Sequence, residues 1–209
     1  MKIPALVAAI AVLTSTCAAQ TAQLKIDPAN IVSPVSSTLY GLMTEEINHS
    51  YEGGLYAQLL SNQTFRAHWD GVEGWQLVRN GNAHARIAQD KTTGPSAALT
   101  TSMKLAVESA SAGSEAGVSN HGFWGIAVRP HTEYKGSMYA RVSANTTVTA
   151  RLISDTTGKT LAQTIIPLHA GNWSQYAFTL CTAEVPVVSA ANHFEMTVDK
   201  PSTIWLQLV

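Results

Sequence analysis

Charge is scarce in this sequence. Only 13% of its 209 residues are Asp, Glu, Lys or Arg, against about 25% in an ordinary soluble protein. The 13 basic and 14 acidic side chains leave a formal net charge of −1, and no stripe of Lys or Arg marks a nucleic-acid or anionic-membrane surface. Two cysteines are too few for a disulfide framework. No apolar run reaches the roughly 20 residues that span a bilayer, so no membrane span is expected. The GxSxG, P-loop and GxGxxG patterns are missing. The seven histidines show neither HxH nor HExxH spacing, and no acidic cluster points to calcium. No metal and no cofactor are therefore expected.

What the chain does have is an apolar share of 45%, enough for one sizeable core. Its N-terminus has the layout of an export signal: Lys2 supplies a positive start, and residues 5–13 (ALVAAIAVL) form an apolar stretch of suitable length. A small-residue exit follows, with Cys17 and Ala19 suiting the −3 and −1 sites of a signal peptidase. Residues 1–19 are read as a signal peptide and the mature protein as secreted or periplasmic. Cleavage after Ala19 leaves Cys181 as the remaining thiol. Lipidation of Cys17 is the lesser alternative, because the usual Leu three residues upstream is missing.

Residues 20–68 read as N-terminal strands followed by one βα unit. Leu24, Lys25, Ile26 and Asp27 alternate in polarity, and Pro28, Ser33 and Pro34 punctuate, as in short edge strands and turns. Residues 37–44 form a compact apolar run, the polar group Glu45, Glu46, Asn48 and His49 follows, and residues 55–60 are apolar at helical spacing. From about residue 69 the texture is β. Alternating segments at 75–79, 84–88, 102–107, 123–129, 134–142, 147–154, 174–180, 193–199 and 203–209 are separated by polar turns at 90–95, 109–117 and 155–158. The expected fold is mainly β, with a jelly-roll-type sandwich over residues 69–209. A lone βα unit lacks the neighbouring parallel strand that its crossover requires. It is expected to open a barrel continued beyond residue 209, with the sandwich inserted after its first helix.

Residues 40–56 (YGLMTEEINHSYEGGLY) carry a resemblance. With residues 62–65 (NQTF), Trp75, 102–104 (SMK), 120–126 (NHGFWGI), 134–139 (YKGSMY) and the Trp173 region, the chain resembles secreted α-L-arabinofuranosidases of glycoside hydrolase family 51. The resemblance implies the N-terminal part of a (β/α)8-barrel enzyme carrying a sandwich like carbohydrate-binding modules of the family 4/9 type. It implies that the catalytic acid/base and nucleophile glutamates lie downstream, so no catalytic residue is expected here. The implied reaction is retaining hydrolysis of terminal arabinofuranosyl residues, and the implied partner is an arabinose-containing plant polysaccharide such as arabinan or arabinoxylan. The alternative is a non-catalytic polysaccharide-binding or structural sandwich.

Retaining glycosidases place two carboxyls roughly 5–5.5 Å apart. Adjacent residues on a strand face opposite ways, so Glu45 and Glu46 make a poor dyad. By resemblance Glu45 binds the arabinofuranose hydroxyls, with Asn48 as a possible neighbour in the same pocket. Trp124 and Trp173 are candidates by type for stacking on a sugar ring, although each also reads as a packing residue.

Overall fold

The computed structural model describes residues 23–36, 51, 58–66, 71–184 and 188–209. The expected signal peptide and most of the expected βα unit, including Glu45 and Asn48, lie outside the described residues. The chain divides into two units, Met1–Glu45 and Glu46–Val209.

In the first unit, residues 23–36 contain no strand. The alternation at Leu24 to Asp27 finds no ladder partner among the described residues, and Leu24 and Ile26 are exposed. Asp27 instead builds a turn. Its Oδ1 accepts the Ala29 N–H at 3.1 Å, and its carbonyl accepts the Asn30 N–H at 3.2 Å.

The described part of the second unit is all β. It has ten strands: β1 (Trp75–Arg79), β2 (His84–Asp90), β3 (Ser102–Ser109), β4 (Ala116–Asn120), β5 (Glu133–Val142), β6 (Thr146–Ser154), β7 (Thr160–Leu168), β8 (Ser174–Cys181), β9 (Asn192–Val198) and β10 (Ser202–Gln207). They form two antiparallel five-stranded sheets, in the orders β1-β4-β9-β6-β7 and β2-β3-β10-β5-β8.

Period-two alternation sends one face of each strand inward. Val148, Ala150 and Leu152 of β6 meet Phe194, Met196 and Val198 of β9 in one core, shared with Met138, Ala140, Ile204 and Leu206 of the other sheet. Residues 61–66 close one end of this sandwich. Phe65 is fully buried, with its ring 5.5 Å from that of Trp75. Asn62 Nδ2 donates to the carbonyls of Gly71 and Glu73. Burying an aromatic side chain of this size stabilises by about 1.5–3 kcal/mol.

Three local readings are corrected. Residues 123–129 are not a strand. Gly125, at φ 85°, turns the chain so that its N–H bonds the His121 carbonyl at 2.9 Å, leaving one bridge, Val128 to Ser189. The stretch 109–117, expected to be a turn, runs into β4, whose five residues are all buried and so show no alternation. β7 was hidden by Pro167, which breaks a ladder; it is tolerated because β7 is an edge strand.

Candidate functional site

The outer face of the second sheet carries a group of sugar-compatible side chains. On β10, Trp205 pairs with Lys104 of β3 on one side and Arg141 of β5 on the other. The Arg141 guanidinium sits 4.2 Å from the indole centroid and Lys104 Nζ 5.5 Å, within cation–π range. The indole N–H donates to Asp90 Oδ2 at 3.0 Å. A hydrogen bond from the Thr92 hydroxyl holds the Asp90 carboxyl below its ordinary value. The Thr92 N–H, the Trp205 N–H and the charge of Lys104 act the same way, against desolvation.

Trp173 joins this group from the segment before β8. It is half-buried, and its N–H donates to the Thr93 hydroxyl at 3.3 Å, so Trp173 and Trp205 are tied to the same 90–93 loop. Trp124 lies elsewhere, on the turn between β4 and β5, and is 66% exposed. One expected stacking residue, Trp173, and Trp205 thus bond to residues three apart, Thr93 and Asp90. Trp205 was hidden in the closing strand, where alternation alone does not say which face carries ligands.

A second feature is a cavity of about 500 Å³, a size typical of small-molecule sites. Its wall combines Leu59, Leu60 and Gln63 with Phe178, Leu180 and Phe194 from the two inner sheet faces, and with Leu208 and Val209. Gly136 shapes it: a Cβ there would lie 2.3 Å from the Phe178 ring. Among the described residues the wall carries one acid, Glu133, whereas glycoside hydrolysis of the usual kind needs two carboxyls. The cavity can receive apolar surface, but no catalytic pair is assembled there from described residues.

Histidines also converge. His121, Asp155 and His193 come from three different strand ends and bring their ligand atoms within 4.8 Å of one another. No local spacing could reveal such a group.

Fold and surface together define a ten-stranded antiparallel β-sandwich with an aromatic and charged outer face. Over most of its length this chain is similar to a segment of α-L-arabinofuranosidases. It is 32% identical over 183 residues, 86% of its length, to "Probable alpha-L-arabinofuranosidase A" of Aspergillus flavus. It is 27% identical over 193 residues to alpha-L-arabinofuranosidase 1 of Arabidopsis thaliana. Among solved structures it resembles the arabinose-bound α-L-arabinofuranosidase MgGH51, with a TM-score of 0.67 and 32% identity over 80% of the chain. The chain spans only 27% and 28% of the two sequence relatives and 28% of that structure. No protein-family model matches it.

Proposed function

We propose that these residues are the N-terminal part of an exported α-L-arabinofuranosidase that removes terminal non-reducing arabinofuranosyl residues from arabinan or arabinoxylan with retention of configuration. The observation that carries this reading is the 32% identity and TM-score of 0.67 to the arabinose-bound enzyme over 80% of the chain. In this reading the two catalytic glutamates lie beyond residue 209. Glu45 accepts hydrogen bonds from the sugar hydroxyls, with Asn48 beside it. The sandwich braces the barrel and offers Trp173, Trp205 and Trp124 to the polymer.

The test uses the parent protein with the sequence that follows residue 209. It is expected to hydrolyse p-nitrophenyl α-L-arabinofuranoside and to release arabinose from arabinoxylan, with the α-anomer formed first by proton NMR. The 209-residue chain alone is expected to be inactive. Release of the β-anomer first overturns the retaining mechanism, and an inactive parent overturns the enzyme reading.

A second reading, a polysaccharide-binding module, is favoured by the exposed Trp124 indole and by the Trp205 face. It predicts that the 209-residue chain is retarded in affinity gels containing arabinoxylan. A Trp205→Ala chain that remains folded would migrate as it does without polysaccharide. Equal migration of the original chain with and without polysaccharide leaves the sandwich a bracing role only.

A further inference from the structure

We propose that His121, Asp155 and His193 form a binding site for one divalent transition-metal ion of the zinc class. Strand register puts them together. Asn120 of β4 pairs with Phe194 of β9, and Ile153 of β6 pairs with His193. His121, just past the end of β4, continues the register opposite His193; Asp155, just past the end of β6, lies opposite Ala191 and so diagonally from His193 on its other side. Phe194 points into the core, so His193 faces outward, and its two partners share that face by the same parity. Three adjacent strands each supply one ligand at the same end of one sheet.

The distances suit an ion. His193 Nδ1 lies 2.5 Å from Asp155 Oδ1, and His121 Nδ1 lies 3.8 Å from Asp155 Oδ2. The imidazole rings approach with centroids 4.8 Å apart, tilted by 34°. Ligand bonds of about 2.0–2.2 Å to a tetrahedral zinc put neighbouring ligand atoms about 3.3 Å apart. The 3.8 Å pair needs to close slightly, and the 2.5 Å pair needs to open by about 1 Å. The hydrogen bond between His193 Nδ1 and Asp155 gives way when the ion takes its place, and the neutral imidazole then carries its proton on Nε2.

The supporting backbone is fixed on both sides. The Asp155 N–H donates to the Ala191 carbonyl at 2.9 Å. Asn120, next to His121, accepts the Gly122 N–H at 2.8 Å and donates to the Ser61 carbonyl at 3.0 Å. The His121 side chain is 45% exposed, which leaves room for water as the fourth ligand. Two imidazoles and one carboxylate select zinc, cobalt or nickel over calcium or magnesium, which prefer all-oxygen sets. The bound ion would pin the ends of β4, β9 and β6 beside the segment that closes the sandwich.

The experiment is calorimetric titration of the untagged 209-residue chain, stripped with chelator, using zinc and cobalt salts, and calcium and magnesium salts as controls. One zinc per chain is expected, with a rise in Tm with free zinc and visible absorption bands of low-symmetry cobalt. His121→Ala, His193→Ala and Asp155→Asn are each expected to weaken zinc binding at least tenfold. His84→Ala, on the other sheet, is expected to leave it unchanged. Metal-free melting curves identify variants that fail to fold; His121→Ala, which removes the most exposed of the three side chains, decides the matter if the others do. No zinc uptake at 100 µM, or undiminished uptake by folded His121→Ala, overturns the site.

Discussion

Arg151 and Glu115 meet through two parallel hydrogen bonds across the outer face of the first sheet, at 2.9 Å (Nη1 to Oε2) and 3.2 Å (Nη2 to Oε1). Glu195 adds a contact to Nη1 at 3.3 Å. The Thr197 hydroxyl accepts from Arg151 and donates to Glu115, both at 2.6 Å. Thr197 stands on the outer face of β9, yet it is only 2% exposed, because this network covers it. The group spans three strands and ties the residue before β4 to β6 and β9.

Replacing Arg151 with Met keeps the stem but leaves Glu115 and Glu195 side by side without a counter-charge. Hydrogen bonds to charged groups contribute about 1.5–3 kcal/mol, and the pair is largely shielded, with side-chain exposures of 16% and 23%. Arg151→Met is therefore expected to destabilise by about that amount, read from urea unfolding. A variant within about 0.5 kcal/mol of the original, the range of an ordinary surface change, would mean that the network is only surface decoration.

The same group sets a response to acid. Desolvation pushes the Glu115 carboxyl up, but the bonds from Arg151 and Thr197 and the charge of Arg151 outweigh it and hold the carboxyl below its ordinary value. A carboxyl held low when folded contributes stability that is full above its unfolded value and is lost as pH falls through the folded one. Asp90 is also held low and adds in the same direction. Tm is thus expected to fall as pH drops below about 4.3, the ordinary Glu value. The fall from Glu115 should vanish in Glu115→Gln, whose Tm at neutral pH is already lower.

At position 117 no side chain fits. A Cβ on Gly117 would lie 1.8 Å from the Met196 carbonyl oxygen, inside the β4–β9 ladder. Relief requires that the backbone part, so Gly117→Ala is expected to cost at least about 1–3 kcal/mol, the range for overpacked cores. Differential scanning calorimetry checks it, with Gly113→Ala as the comparison: Gly113 has open space around it but a φ of 79°, so only backbone strain acts there.

Four Asn-x-Ser/Thr acceptors occur, at Asn48, Asn62, Asn145 and Asn172. The Asn62 amide nitrogen already donates to two carbonyls, whereas Asn145 and Asn172 are exposed. Secretion from a glycosylating host is expected to place glycans at Asn145 and Asn172 and none at Asn62, by mass spectrometry of peptides. A fully occupied Asn62 in the folded protein would contradict the turn geometry described around it.

Glu45 is tested in the longer protein proposed above. If it accepts hydrogen bonds from arabinofuranose hydroxyls, Glu45→Gln keeps the shape and loses the charge-assisted part. About 1.5–3 kcal/mol corresponds to a roughly 10- to 150-fold loss of kcat/KM, and Glu46→Gln is expected to cost much less. Equal losses at the two positions refute the assignment.

The sandwich was legible in the sequence wherever alternation was clean. Phe194, Met196 and Val198 declare the inner face of β9, and Val148, Ala150 and Leu152 that of β6, because a half-buried strand must alternate. β4 was not legible, since a strand buried on both sides has no polar face to alternate with. The Arg151 network and the His121–Asp155–His193 group were invisible for a different reason. Their members come from chain segments more than 30 residues apart, and only strand register decides that those segments meet. Trp124 shows the converse: its apolar neighbours suggested a strand, but the backbone turns at Gly125 and turns the indole outward.

The strand order has a consequence for how the domain is made. β9 and β10, residues 192–207, hold the centre of the two sheets. As the ribosome delivers the chain, β1 to β8 emerge as separate pairs, β1 with β4, β2 with β3, β5 with β8 and β6 with β7, each with an open edge where a central strand belongs. Such edges invite pairing with other molecules, and distant pairings form slowly. The two closing strands therefore arrive as a timer: until they emerge, neither sheet is continuous, and the nascent chain depends on chaperones or on speed to stay unaggregated.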